Sequence, residues 1–370
     1  MNTTYLHGIG TALPQWAYPQ DTLCDFMQRQ LALDAETSAR LQQLYARSGI
    51  AQRHSVLPDF GAGDAGLYRS STPPGLRERM DLYHHKIVPL ATEAITQALS
   101  HSQQRSGAGY TLTDVTHLIA VSCTGLAAPG LDLMLLQALN LPANLHRSCL
   151  YFMGCYAALH ALKQADAICR SDPDAVVLVV CAELCTLHFQ YSTEMEQLAA
   201  SMLFADGAAA AVFSSQPGPL ALRGFYAEVA LAGWDQMAWQ LSETGFWMRL
   251  GTEVPALLQQ HLPGLLQRAL QRYGWQHPAE ISHWALHPGG RKILDLAAEQ
   301  LQLPPAALSA SYQVLQHCGN MSSPTVLFVL RQLWEDALAQ QGLAPEQKLL
   351  MAAFGPGLSL ETTALEVAHV

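Results

Sequence analysis

Three residues far apart in this 370-residue chain sit where a side chain could do chemistry: Cys155, His287 and Asn320. Cys155 follows Gly154 and opens an alanine-rich run with Ala157, Ala158, Ala161, Ala165 and Ala167. The run predicts a thin helix that can pass through the middle of a domain. A cysteine in the first turn of such a helix faces unpaired backbone N–H groups, whose partial positive charge favours thiolate over thiol. Those N–H groups could also hold an oxyanion if the sulfur attacked a thioester carbonyl. The simpler reading of a cysteine in an apolar stretch is a small buried hydrophobe, and only partner residues can displace it. His287 ends an apolar run and precedes Pro288, Gly289 and Gly290, which suits a side chain aimed into a pocket. Asn320 lies in Gly319-Asn-Met-Ser-Ser323, just before a predicted helix, a setting typical of a polar side chain at a turn. Taken singly, His287 and Asn320 also have structural readings.

The elements that must position these residues follow from hydrophobic periodicity. A short strand is predicted over 5–12 and helices over 21–33 and 36–48, the second capped by Asp34 or Thr37. Gly, Ser, Asp and Pro mark a loop over 56–74, and a long amphipathic helix follows over about 80–100. A buried strand at 117–123 leads to a helix over 130–139, then to the Cys155 helix, which runs to about Arg170. The run 175–182 is the clearest buried strand. It ends at Glu183, which is either a carboxylate on the functional edge of a parallel sheet or an acceptor for backbone N–H groups. The stretch 204–213 reads as a tight turn feeding a strand, and 220–230 extends the sheet. Helix at 253–272, strand at 282–287, helices from 290 and over 323–340, and strand at 348–354 then repeat the order of the first half. These halves predict a duplicated α/β architecture divided near Gly224, as 1–223 and 224–370.

Half of the residues are hydrophobic and 14% are charged, the balance of a well-buried enzyme-like chain. The formal net charge of −10 argues against nucleic acid or an anionic membrane as a general partner. No apolar run is long enough to span a bilayer and the N-terminus lacks a targeting pattern, so a cytoplasmic protein without membrane insertion is expected. Eight cysteines without framework spacing predict reduced thiols. Cys181, Cys185 and His188 are close enough to suggest a metal site, but Cys181 ends a strand-like run and no second ligand pair follows, so no metal is expected.

Taken together, the motifs are far more specific. The chain resembles the thiolase-fold condensing enzymes, most closely the type III polyketide synthases that include chalcone and stilbene synthases. The resemblance spans nearly the whole chain and rests on Gly154-Cys155-Tyr-Ala-Ala, Val177 to Glu183, Leu203-Phe-Ala-Asp-Gly-Ala-Ala209, Trp284-Ala-Leu-His-Pro-Gly-Gly290, Gly319-Asn-Met-Ser-Ser323 and Phe354-Gly-Pro-Gly357, in the family's order. It implies a thiolase-like layered α/β/α/β/α fold and a Cys-His-Asn site with no metal or organic cofactor. Cys155 would be acylated by a starter thioester, its thiolate stabilised by imidazolium His287. His287 and Asn320 would hold the enolate formed when malonyl-CoA loses carbon dioxide. Asparagine suits that role because it donates without titrating.

The resemblance further implies that Phe204 is a gate between a coenzyme A tunnel and the cavity, with Met248 at the place of a second gating phenylalanine. His188 and Cys123 replace smaller hydroxyl residues common in the plant enzymes. With Glu183 and Ser322 they are the remaining candidates for the substrate cavity. Arg40 and Arg47 match basic positions used for coenzyme A phosphates, with Gln43 at the intervening one. The expected partners are an acyl-CoA or acyl-carrier-protein starter, malonyl-CoA and a second copy of the chain. Two rivals accompany this reading: a ketosynthase or acyl-joining enzyme that stops after a single condensation, and a catalytically silent partner subunit.

Overall fold

The computed structural model describes residues 2–61, 66–304, 306–340 and 344–369, so part of the predicted 56–74 loop lies outside the described residues. The first half contains β1 (Tyr5–Ala12), β2 (Trp16–Pro19), α1 (Gln20–Gln30), α2 (Ala35–Arg47), β3 (Gln52–Ser55) and α3 (Leu76–Ser106). It continues through β4 (His117–Ser122), α4 (Leu131–Ala138), β5 (His146–Tyr151), α5 (Ala157–Ser171), β6 (Val176–Leu184), α6 (Met195–Leu203) and β7 (Asp206–Ser214). The second half contains β8 (Leu220–Val229), β9 (Met237–Ser242), β10 (Gly245–Leu250), α7 (Val254–Tyr273), β11 (Ile281–Leu286), α8 (Arg291–Gln300), α9 (Ser309–Cys318), α10 (Thr325–Gln340), β12 (Lys348–Gly355) and β13 (Ser359–Val367).

Nine strands form one mixed sheet in the order β11-β12-β13-β8-β1-β7-β6-β4-β5. The duplication shows in its pairing. In the first half β4 and β6 are parallel, β6 and β7 antiparallel, and β7 and β1 antiparallel. In the second half β11, β12, β13 and β8 repeat that sequence of orientations. Within the large sheet the halves are joined where β1 pairs with β8, through Tyr5 with Ala221 and Leu6 with Leu220. The second repeat begins with β8, so a border at 223/224 falls inside a strand.

The pleat sorts side chains into three cores, because successive residues of a strand point to opposite faces. Leu118, Leu178 and Val180 pack in a core with α3, whereas their neighbours Ile119, Val177 and Val179 pack in a second core with α5. Leu349, Met351 and Ala353 of β12 enter that second core as well, while Leu350, Ala352 and Phe354 pack with α7 in a third. Both halves of the sheet therefore enclose α5 and α10, giving five layers. Ala157, Ala158, Ala161 and Ala165 are fully buried in the middle layer, where larger side chains would hold the two halves apart. Each fully buried leucine or valine there contributes roughly 1.5–3 kcal/mol. No described helix is long and apolar enough to cross a membrane.

Candidate functional site

Cys155 lies two residues before α5, not in its first turn as the alanine run suggests. The reason is the turn after β5, where Phe152 (φ 58°) and Gly154 (φ 80°) adopt left-handed conformations before the helix begins. Gly154 also meets a space requirement: a Cβ there would lie 2.3 Å from Pro356 Cδ. Its N–H donates to Cys123 Sγ at 2.9 Å, which anchors the turn from beneath. Cys155 is buried, with Sγ 3.7 Å from Ser322 Oγ.

His287 immediately follows β11, and its backbone N–H extends the parallel pairing by donating to Ala352 O at 2.8 Å. The side chain is 1% exposed, yet neither ring nitrogen has a hydrogen-bond partner. Asn320 follows α9 through Gly319, and its backbone pairs with the end of α6: Asn320 N–H donates to Leu203 O, and Ala205 N–H to Asn320 O. Asn320 Oδ1 accepts from Ser322 N–H at 2.8 Å. That bond fixes the orientation of the amide, because only the oxygen can accept. The NH2 group has a long contact, 3.5 Å to Gly289 O, and also reaches the Cys155 side chain.

Cys155, His287 and Asn320 line one cavity of about 390 Å³ together with Phe204, Met248 and Trp239. Burial pushes the Cys155 thiol up to about 12, against the opposing effect of hydrogen bonding to Ser322. Burial likewise pushes His287 down to about 3. Desolvation acting on each group alone thus favours the thiol and the neutral imidazole. Once a proton has passed from sulfur to ring, the low dielectric of the closed site strengthens the attraction between the two charges.

The other expected site residues divide. Phe204 and Met248 line both the main cavity and a smaller one of about 50 Å³ behind it, so they form part of the wall between the two. His188 lines only the smaller cavity. There its ring stacks on Phe246 at 4.1 Å, donates to Thr124 O at 2.8 Å and accepts from Phe246 N–H at 3.2 Å. Ser322 touches Cys155 but is fully buried behind it, with φ 61°.

Glu183 and Cys123 do not line either cavity. Glu183 is fully buried and accepts from Cys123 N–H at 2.8 Å, Thr124 Oγ1 at 2.8 Å and Ser323 Oγ at 2.6 Å. Of its two sequence readings, acceptor and functional edge, this is the placement of an acceptor; burial raises its carboxyl to about 7. Cys123 sits below the Gly154 turn. Cys181 faces the middle core and Cys185 the smaller cavity, so those two thiols lie on different sides of the sheet.

Arg47 lines the main cavity, whereas Arg40 is exposed and pairs with Glu36 at 2.5 Å, away from it. Two further cations were missed in the sequence: Arg291 and Lys292 also line the main cavity. Their position directly after the His-Pro-Gly-Gly motif was the available signal, since a strand end aimed at a pocket carries the next residues to its rim. Trp239 gave no such signal.

Residues 2–217 match the model of the chalcone and stilbene synthase N-terminal domain, and residues 229–368 that of the C-terminal domain. The chain is 30% identical to type III polyketide synthase 21 of Oryza sativa subsp. japonica, covering 96% of this chain and 92% of the relative. It is also 30% identical to 1,3,6,8-tetrahydroxynaphthalene synthase of Streptomyces peucetius subsp. caesius, covering 97% and 92%. The crystal structure of PKS-I from the brown alga Ectocarpus siliculosus superimposes with a TM-score of 0.90 at 25% identity, covering 99% of each chain. The chain belongs to the chalcone and stilbene synthase family, the type III polyketide synthases, which are acyltransferases that extend acyl-CoA starters with malonyl-CoA by iterative decarboxylative condensation.

Proposed function

We propose that Cys155, His287 and Asn320 carry this reaction. The observation that supports it most is that three residues from remote segments share one cavity, with a free imidazole and an amide NH2 that reaches the Cys155 side chain. Cys155 Sγ attacks the starter thioester, His287 accepts the thiol proton, and the proton leaves with the coenzyme A thiol. A second thioester, malonyl-CoA, then loses carbon dioxide. Asn320 Nδ2–H and a His287 ring N–H hydrogen-bond the enolate oxygen as charge develops on it. The enolate carbon attacks the acyl carbonyl, the C–S bond to Cys155 breaks, and the chain is longer by two carbons. Reloading onto Cys155 repeats the cycle. Arg47, Arg291 and Lys292 at the cavity supply cations for the coenzyme A phosphates.

The protein is a cytoplasmic homodimer in this reading. β5 is an edge strand of the large sheet, and Ser148, Cys149, Leu150 and Tyr151 are only half-buried along it. Leu126 and Leu133 nearby are 46% and 38% exposed. An unpaired edge beside apolar side chains suits pairing with a second copy. Sedimentation should give twice the 40.2 kDa chain mass, and a monomer at micromolar concentration would refute the dimer.

The function is tested by mass spectrometry of products from malonyl-CoA and a panel of acetyl, long fatty acyl and aromatic starters, each as coenzyme A and carrier-protein thioester. Pyrones, resorcinols or other products with two or more malonyl units are expected. Products limited to one added unit, or to two joined acyl chains, would leave the site in place but end the iterative reading.

A further inference from the structure

Arg53 of β3 is 5% exposed, and no described carboxylate forms an ion pair with it. A guanidinium in such a setting is costly to desolvate unless its donors are well used. The Asp206 carboxylate, whose charge reaches it, is already occupied by Val56 N–H, Thr186 N–H and Thr186 Oγ1. Arg53 donates instead from Nε to Gln20 Oε1 at 3.0 Å and from Nη1 to the Phe204 carbonyl, and the Tyr45 hydroxyl is a further hydrogen-bonding partner.

That carbonyl belongs to the segment that holds the reaction site. Three successive carbonyls at the end of α6 are each taken by a different part of the chain. Met202 O accepts from Gln20 Nε2 at 3.0 Å, Leu203 O from Asn320 N–H at 2.9 Å, and Phe204 O from Arg53. Ala205 N–H then donates back to Asn320 O at 2.8 Å. The cation also lies at the negative end of the α6 dipole, which suits it. Gly319, next to Asn320, is shaped around this arrangement: with φ 70°, a Cβ there would be 2.8 Å from Arg53 Cγ and 3.2 Å from Leu203 O. Arg53 is thus a buried cation that contacts both the gate segment and the approach to Asn320.

We propose that Arg53 is a positioning residue for the condensation: by clamping the Phe204 carbonyl it holds the Asn320 amide in register with the enolate. The proposal rests on the role given to Asn320 above. A displacement of about 1 Å in a catalytic group can cost ~100-fold in rate, so a small shift of this segment would register as lost decarboxylation.

The test is a double-mutant cycle on malonyl-CoA decarboxylation by the full chain, using Arg53→Met, Asn320→Ala and the pair, with Arg53→Lys as rescue. Arg53→Met should lower kcat by roughly 10–100-fold with KM little changed, because Arg47, Arg291 and Lys292 are untouched. Lysine retains a donor for the Phe204 carbonyl and should restore much of the loss. The pair should be no worse than Asn320→Ala alone, a coupling that a merely structural role would not produce. A loss for Arg53→Met that adds in full to that of Asn320→Ala, or a kcat for Arg53→Met within twofold of the parent, would overturn the proposal. If Asn320→Ala itself leaves decarboxylation intact, it is the role of Asn320 that fails. Should Arg53→Met not fold, Gln20→Ala, which removes both the acceptor of Arg53 Nε and the donor to Met202 O and so loosens the same segment, replaces it in the same cycle with the same criteria.

Discussion

His188 and His287 are both buried, at 5% and 1% exposure, and burial pushes both rings down to about 3. Their surroundings differ in one respect. His188 has each ring nitrogen engaged and one face covered by Phe246, so its valence is spent on the wall of the smaller cavity. His287 has both nitrogens free in the main cavity. A similar contrast separates Glu183, surrounded by supporting donors, from Asn320, whose NH2 has one long carbonyl contact and otherwise meets the Cys155 sulfur. Depth and pKa therefore do not mark the site; unspent hydrogen-bonding capacity at depth does, because it is retained at a cost unless a ligand uses it.

Substitution of the two histidines gives the largest expected effects, in opposite channels. His287→Ala should lower malonyl-CoA decarboxylation by ~10²–10³-fold while moving the urea midpoint little, since the ring loses no protein hydrogen bond. His188→Ala should cost about 2–4 kcal/mol of stability and leave decarboxylation within about tenfold. A His188 variant that abolishes decarboxylation at unchanged stability would break the contrast.

Acid stability sharpens it, because here the two rings should behave alike. His7, His101, His188 and His287 all have folded-state values lowered to about 3–4. Each takes up a proton on unfolding below the ordinary value of about 6.5, so its contribution to stability is full above that value and is lost as pH falls toward 3–4. Glu183 and Asp206 act in the opposite sense: their values are raised to about 7 and about 6, and they contribute below their unfolded values and lose that contribution as pH rises. His117 is lowered as well and Asp59 raised, so five rings stand against three carboxyls, and stability should fall from pH 6.5 to 4.5 by about 1.4 kcal/mol per pH unit for each uncompensated proton. Urea titrations across this range measure the slope. His188→Gln and His287→Gln should each lessen it by one proton, and a stability that rises on acidification would contradict the assignment of these neutral rings.

Much of this arrangement was legible in the sequence, for physical reasons that also set its limits. The all-apolar run of β6, the alanines of α5 and the Pro-Gly-Gly after His287 are local signals, and each lies where its pattern places it. The position of Cys155 relative to α5 was off by two residues because the left-handed Phe152 and Gly154 delay the helix. β5 was not seen because it is an edge strand with half-exposed side chains and no alternation. The hairpin β9–β10 and helix α9 escaped for the same lack of a strong apolar period. Glu183 and Cys123 could not be assigned to the support of the site from sequence, because their partners, Ser323 and Gly154, are brought to them only by the fold. Arg53 needed the structure most: its meaning lies in a carbonyl 151 residues away.

The most direct test of the account is the Cys155→Ala variant, measured for malonyl-CoA decarboxylation and for condensation in the same preparation. If Cys155 holds the acyl chain while His287 and Asn320 hold the enolate, condensation should vanish and decarboxylation persist. Loss of both activities in a folded protein would contradict that division of labour.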